Sequence, residues 1–192
     1  MIVCYLSAGA FAAQCLSTWH ENSTSFGHCA ASRLNGVINI LVAALSGRND
    51  VGHTAIQLNS DFVFGYYPTG DGGSASLMHS KGDPRVDPRN DFDCTYGPQG
   101  YTEFTLNVTA RQLSSLYNYL GNIMANPGNY NLFTSNCTSV VITGLEQSAV
   151  TLRDVNGDPI SSSYTNPSLF GSDLSHSLFM PEVVGMQHYG GN

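Results

Sequence analysis

Charged side chains are scarce in this chain of 192 residues: 11% of the residues are Asp, Glu, Lys or Arg, and Lys81 is the sole lysine. The net charge is −7 and the seven cationic residues are scattered, so no surface that binds nucleic acid or anionic lipid is expected. No C-x-x-C pair is present, which argues against a conventional zinc site, and we predict neither a metal nor a cofactor. No apolar run reaches the length of a transmembrane helix, so stable membrane insertion is not expected.

The cysteine count is odd, which leaves at least one thiol without an intramolecular partner. We predict that one cysteine is reactive and leave open whether the other four form disulfides. The first residues, MIVCYLSAGAFAAQC, are apolar but lack the basic region that begins a signal peptide. We therefore expect a protein made without a cleavable signal peptide. That it is secreted is implied by a resemblance described below, and a cytoplasmic protein is the alternative. The five cysteines are Cys4, Cys15, Cys29, Cys94 and Cys137.

The length fits a single domain over residues 1–192. Residues 1–49 are predicted to be a helical segment, because the apolar run GVINILVAALSG ends at Gly47 and glycine favours the end of a helix. Residues 50–147 are predicted to form the core. Residues 148–192, rich in Ser, Asn, Pro and Gly, are predicted to wrap the surface irregularly.

Two segments with a period of two predict a β-hairpin. The first, HTAIQLN, begins at His53, and the second, FVFGYYP, follows the turn signal Asn59-Ser60-Asp61. Residues 68–100 are rich in Gly, Pro and Asp and predict a long functional loop. TEFTLNV then predicts a third strand.

Two helices are predicted after that strand. Thr109 and Gln112 form a capping box ahead of a long apolar stripe. The second helix begins near Cys137, with Ser135 or Asn136 as its cap. Strands paired as hairpins and segregated helices predict an α+β fold, an antiparallel sheet packed on helices.

The position of Cys137 suggests chemistry. The first turn of a helix favours an anion, so a cysteine there is inclined to lose its proton and become a nucleophile. A base is then needed on a rigid element, and His53 lies on the polar face of its strand. Because 84 residues separate the two, only the fold can bring them together.

VGHTAIQL with its hairpin partner, and Y-x-L-x-x-x-NC-T-x-x-V after an amphipathic helix, resemble the two hallmarks of circularly permuted NlpC/P60-like cysteine hydrolases, which have a papain-like fold. In permuted members the strand histidine precedes the helix cysteine, as it does here. The resemblance covers roughly residues 50–147. It implies that Cys137 is the nucleophile and His53 the base of an enzyme that cleaves an amide bond, in a peptidoglycan stem peptide or cross-bridge.

The resemblance also implies a biological setting. A compact chain of this kind is similar to a bacterial secretion-system effector that acts in the periplasm of a target cell. Such a toxin is expected to act as a monomer and to have an immunity protein as its partner.

A third polar residue usually orients the histidine in this family, on the strand that follows the histidine strand. Gly65 stands near that position. We predict that Tyr66, Asp61 or His79 replaces it, or that the site is a dyad.

The oxyanion hole implied by the resemblance uses the backbone N–H of Cys137. A second donor is expected from Asn136 or Ser135. Such donors stabilise the negative charge that develops on the carbonyl oxygen in the transition state.

Two alternatives remain open. Permuted proteins similar to lecithin:retinol acyltransferase use the same order of histidine and cysteine on lipid acyl chains. The second alternative is a non-catalytic binding module that uses residues 68–100 and in which Cys137 is inert.

Overall fold

The computed structural model describes residues 36–43, 51–70, 74–154, 156–163, 166–176 and 183–190. Within them the chain is α+β, with all strands antiparallel. The strands are β1 (Val37–Ala43), β2 (His53–Gln57), β3 (Phe62–Pro68), β4 (Ser80–Pro88), β5 (Tyr101–Asn107), β6 (Asn129–Tyr130) and β7 (Val183–Tyr189). The helices are α1 (Ser74–Met78), α2 (Arg89–Tyr96), α3 (Ala110–Ala125), α4 (Cys137–Gln147) and α5 (Pro167–His176).

The seven described strands lie in the order β6-β4-β3-β2-β1-β5-β7. The predicted hairpin is confirmed as β2 and β3, and the predicted third strand as β5. The ladder between β2 and β3 is short: it joins Ile56 to Phe64 and Gln57 to Val63, next to the turn, and goes no further toward His53. The first residues of β2, His53 and Thr54, therefore lie beyond the end of this ladder.

The prediction of a helix at the end of residues 1–49 is wrong for its described part, because Val37–Ala43 is a strand. β1 lies between β2 and β5 and is covered on both faces, so its sequence reads as one apolar run. A central strand buried on both faces has no alternation to distinguish it from a buried helix. The rest of that prediction, residues 1–35 and 44–49, lies outside the described residues.

The prediction of a long irregular loop at residues 68–100 is also wrong. This segment contains α1, α2 and β4, and β4 pairs with β3 from Phe62↔Pro88 to Pro68↔Gly82. Pro84 and Pro88 interrupt the strand pattern in the sequence. They are tolerated because, among the described residues, β6 pairs with β4 only at Ser80 and Lys81, so most of β4 has a neighbouring strand on one side.

Residues 148–192 are not an irregular wrap in the part that is described. Helix α5 buries Phe170 and Leu174, and β7 extends the sheet by pairing with β5. Few apolar residues anchor α5, and a short helix with few anchors gives a weak periodic signal.

Helix α3 begins at the predicted capping box, in which the Thr109 side chain accepts from the Gln112 N–H and the Gln112 side chain accepts from the Thr109 N–H. The start of α4 is confirmed as well, with Asn136 rather than Ser135 as its cap. Among the described residues, no helix is both long and apolar enough to cross a membrane.

The two faces of the sheet have separate cores. The larger core lies between the sheet and helices α3, α4 and α5, and includes Ile56 of β2. The smaller core lies on the opposite face, where Ala55 of β2 and Val63 of β3 meet Phe92 of α2. Since side chains alternate along a strand, Thr54 shares the face of Ile56 and His53 shares the face of Ala55.

Candidate active site

Cys137 is the first residue of α4, and the residue before it fixes the helix start. The Asn136 side chain accepts hydrogen bonds from the N–H groups of Thr138 and Ser139, at 3.0 and 3.1 Å. The Ser139 hydroxyl bonds back to the Asn136 backbone N–H at 2.8 Å, which completes a capping box. The cap holds the first turn of α4, and with it the backbone of Cys137, in one geometry.

A buried hydrogen bond joins this helix start to strand β2. The hydroxyls of Thr54 and Thr138 lie 2.9 Å apart, with 84 residues between them in the chain. Thr54 follows His53 and Thr138 follows Cys137, so this bond brings together the start of β2 and the first turn of α4, the two elements that carry the predicted catalytic residues. The β2–β3 ladder has already ended there, and the backbone N–H of Thr54 is hydrogen-bonded to the thiol of Cys137.

The Cys137 thiol is buried, with 4% of the residue exposed. Burial raises its pKa, because the thiolate loses hydration. Hydrogen bonds from the Thr54 N–H, from the Thr138 hydroxyl and N–H, and from its own N–H oppose the rise. The surroundings therefore contain donors for a thiolate, while burial favours the protonated thiol.

His53 is equally buried, and its imidazole lies between two tyrosine rings. The ring centroid of Tyr67 is 4.7 Å from that of His53 with an interplanar angle of 12°, and that of Tyr96 is 5.2 Å away with an angle of 3°. Burial lowers the pKa of His53 to about 3, because the charged imidazolium would be poorly solvated. The His53 imidazole is thus neutral, and its Nε2 has no hydrogen-bond partner among the described residues.

Tyr67 reaches His53 by lying back over Gly65. A Cβ atom on Gly65 would be 2.5 to 2.7 Å from three atoms of the Tyr67 ring and hydroxyl. The β3–β4 register places Arg85 opposite Gly65 and Asp87 opposite Val63, so the Tyr67 hydroxyl meets Asp87, with which it is hydrogen-bonded. Burial raises the pKa of Tyr67, and the neighbouring Tyr96, Asp87 and Cys137 raise it further.

The three predicted orienting residues do not face His53. Tyr66 lies on the opposite face of the sheet, where its hydroxyl donates to the Pro127 carbonyl at 2.6 Å. Asp61 is an exposed residue of the β2–β3 turn, at the other end of β2 from His53. His79 is exposed between α1 and β4, with its Nδ1 3.5 Å from Asn131.

The predicted oxyanion donors have other partners. Asn136, 1% exposed, uses its side-chain carbonyl as the helix cap and donates through its amide nitrogen to the Leu132 carbonyl at 2.6 Å. Ser135 is hydrogen-bonded to the Tyr66 hydroxyl. Both Ser135 and Tyr66 line a cavity of about 190 Å³ beside α4 that neither Cys137 nor His53 borders. Of the oxyanion donors expected from the sequence, the backbone N–H of Cys137 is therefore the one that this geometry leaves beside the sulfur.

Helix α2, which carries Tyr96, is fixed to the sheet by its first residue. The Arg89 guanidinium donates to Gln57 of β2 at 2.9 Å, and to Tyr101 and Glu103 of β5 at 2.6 and 3.0 Å. These bonds cross the sheet beneath the helix and hold it over the smaller core. Arg89 thus sets the position of the ring that covers His53.

The contacts of Tyr67 and Tyr96 with His53 were not predicted from the sequence. Tyr67 could have been found, because a glycine inside a strand indicates a close approach of another group. The residue two positions away shares the face of Gly65, which selects Tyr67 and rejects Tyr66. Tyr96 could not have been found in this way, since its contact with His53 depends on where α2 packs.

Cys137 is the free cysteine of the described residues, whereas Cys94 of α2 is disulfide-bonded. The sequence left open whether Cys4, Cys15 and Cys29 form disulfides, and these three residues lie outside the described residues. Within the described part of the chain, no group of three or more His, Cys, Asp or Glu residues could hold a metal ion. No protein-family model, no curated protein and no solved structure matches the chain.

Proposed function

We propose that this protein is a cysteine hydrolase in which Cys137 is the nucleophile and His53 the general base. The observation that carries the proposal is the junction of α4 and β2. There the first-turn cysteine and the strand histidine are each followed by a threonine, and the two threonines are hydrogen-bonded to each other at 2.9 Å. The two residues, 84 positions apart in sequence, are thus each next to a residue of the same buried contact between α4 and β2.

The chemistry follows from the groups at that point. His53 takes the proton of the Cys137 thiol, and the thiolate attacks the carbonyl carbon of the substrate. The backbone N–H of Cys137 stabilises the oxyanion. The bond to the leaving amine breaks as His53 returns the proton to that nitrogen, which leaves a thioester on Cys137. Water, deprotonated by His53, then hydrolyses the thioester and frees the thiol.

The burial of both residues has a consequence for this cycle. Cys137 and His53 are each 4% exposed, and the rings of Tyr67 and Tyr96 cover the imidazole. We infer that substrate binding opens the cover on the α2 side. Contact with solvent or substrate then reduces the desolvation that holds the pKa of His53 low and that of Cys137 high.

The substrate class rests on the resemblance described above. A permuted papain-like core of the NlpC/P60 kind implies an amide in a peptidoglycan stem peptide or cross-bridge, and the setting of a secreted effector with an immunity partner. The α+β architecture and the antiparallel sheet packed on helices are compatible with that core.

One observation favours the acyl-transfer alternative. Phe133 is 62% exposed in the turn that precedes α4, and Met78, 38% exposed, lies at the end of α1. The two belong to segments that are joined by the hydrogen bond from the Leu132 N–H to the Leu77 carbonyl. An apolar surface beside the nucleophile helix suits a lipid acyl chain better than a peptidoglycan strand.

Incubation with two substrates separates these functions. Purified peptidoglycan sacculi are scored for new primary amines, and phospholipid vesicles for free fatty acid. We expect amines to appear with the wild type and not with Cys137→Ala or His53→Gln, while His79→Gln, a histidine remote from the site, behaves as the wild type. Fatty acid release with the same dependence would favour the acyl hydrolase. Hydrolysis that survives Cys137→Ala, or no hydrolysis of either substrate, would contradict the proposal.

A further inference from the structure

We propose that Tyr67 is the third member of this site, a positioning residue that sets the plane of the His53 imidazole and is itself fixed by Asp87. This inference rests on the proposed function, and it assigns to Tyr67 a role that the sequence patterns did not predict. It also accounts for the glycine at position 65.

The orientation of His53 needs such a residue. Its Nε2 has no hydrogen-bond partner among the described residues, so that nitrogen does not orient the ring. The imidazole plane is held instead by the nearly parallel rings of Tyr67 and Tyr96. Rotation about the Cβ–Cγ bond of His53 would drive the imidazole edge into both rings.

Tyr67 is the better fixed of the two. It lies on β3, next to β2 in the sheet, and its ring fills the space where a side chain at position 65 would otherwise stand. Its hydroxyl is hydrogen-bonded to Asp87, and the Arg85 guanidinium carbon lies 5.3 Å from its ring centroid. Tyr96 is the last residue of α2 and belongs to the cover that we expect to move.

The same arrangement replaces a polar partner. A side-chain donor or acceptor at position 65 could orient an imidazole by a hydrogen bond, and glycine has none. The Tyr67 ring occupies that space and restrains the imidazole by stacking. Stacking fixes the plane of the ring and leaves Nε2 available for proton transfer.

The test uses acylation by 4-nitrophenyl acetate, a small activated ester that needs no knowledge of the natural substrate. The burst of nitrophenolate is measured for the wild type, His53→Gln, Tyr67→Phe and Tyr67→Leu. Tyr67→Phe keeps the stack, so we expect an acylation rate within about threefold of the wild type. Leucine has no planar ring to stack on the imidazole, so we expect Tyr67→Leu to lower the acylation rate by about 10- to 100-fold, as for a misplaced catalytic group.

The matched control is Tyr117→Leu. Tyr117 is a buried tyrosine of α3 whose hydroxyl donates to the Leu58 carbonyl at 2.9 Å, away from His53. We expect its replacement to lower stability while the acylation rate of the folded protein stays near that of the wild type. Equal losses in Tyr67→Leu and Tyr117→Leu would show that the role of Tyr67 is only structural and would overturn the proposal.

The outcomes separate this inference from the proposed function. A burst that is the same in the wild type and in His53→Gln overturns both. A burst that needs His53 but is unaffected by Tyr67→Leu overturns the positioning role alone. Proton NMR of the wild type gives an independent result, since stacked rings shift the His53 imidazole resonances upfield of those of an exposed histidine. Unshifted resonances would overturn the proposal even if Tyr67→Leu failed to fold.

Discussion

Gly65 lies in strand β3 with a backbone conformation that any residue can adopt, since its φ is not among the positive values of the chain. An alanine there would ordinarily be favourable by about 0.5–1 kcal/mol, because glycine loses more conformational freedom on folding. However, the Cβ atom would lie 2.5 Å from Cε2 of Tyr67, closer than real contacts allow. The ring cannot retreat freely, because His53 lies against it and Asp87 bonds its hydroxyl.

We therefore predict that Gly65→Ala destabilises the wild type by about 1–3 kcal/mol, the usual cost of overpacking. In Tyr67→Ala the ring is absent, and the same substitution should be neutral or stabilising by up to about 1 kcal/mol. The sign should thus change between the two backgrounds, with an interaction energy of about 2 kcal/mol or more.

Urea unfolding of the four proteins of this double-mutant cycle gives the interaction energy directly. Gly185→Ala is the matched control, since its Cβ would lie 3.4 Å from Thr105 of the neighbouring strand, an ordinary contact. We expect that change to be close to neutral. An equal cost of Gly65→Ala in both backgrounds would refute the reasoning, because the clash would then not involve Tyr67.

Three further predictions concern the junction and its charges. The folded-state pKa of His53, about 3, lies below the unfolded value of 6.5, so the neutral ring stabilises the fold fully above pH 6.5 and this stability is lost as the pH falls toward 3. As the pH falls across that window, the free energy of unfolding should decrease more steeply in the wild type than in His53→Gln. The two slopes, measured by urea unfolding, should differ by up to about 1.4 kcal/mol per pH unit. Thr138→Val should lower the free energy of unfolding by about 1–3 kcal/mol, because it leaves the buried Thr54 hydroxyl unpaired. Adding Thr54→Val should recover part of that loss. Additive losses for the two substitutions would contradict the hydrogen bond between these hydroxyls. Asn136→Ala should cost about 1–2 kcal/mol through loss of the α4 cap, and an unchanged urea midpoint would count against that role.

The elements that could be predicted from the sequence are those with local signals. The hairpin of β2 and β3 follows from alternation around an Asn-Ser-Asp turn, and α3 from its capping box and apolar stripe. The start of α4 at Cys137 follows from the polar cap before an apolar segment. These signals involve neighbours in the chain and survive in any tertiary context.

The errors have non-local causes. The sequence of β1 predicted a helix because burial on both faces removes the alternation that marks a strand. That burial is caused by β2, β5 and the helices. The sequence of β4 predicted a loop because its prolines break the strand pattern. The prolines are compatible with a strand here, because most of β4 has, among the described residues, a paired neighbour on one side. In each case the sheet as a whole decides the structure of the segment.

The candidate site divides in the same way. Cys137 and His53 could be chosen from local patterns, since each stands at the start of an element. The prediction that His53 lies on a polar face is wrong, because that face of β2 is buried in the smaller core. The stack of Tyr96 on His53 depends on Arg89, which fixes α2 through bonds to two strands. No local pattern contains that information.

The central claim is that His53 acts on the Cys137 thiol, and one measurement tests it most directly. The rate at which iodoacetamide alkylates Cys137 is followed by peptide mass spectrometry from pH 5 to 9, without reductant, in the wild type and in His53→Gln. Cys94, which is disulfide-bonded, serves as an internal reference that should remain unlabelled. We predict that Cys137 of the wild type is alkylated near neutral pH faster than in His53→Gln, because the variant has no base to accept the proton of a thiol whose pKa is raised by burial. Identical rates for the two proteins across this range would contradict the account.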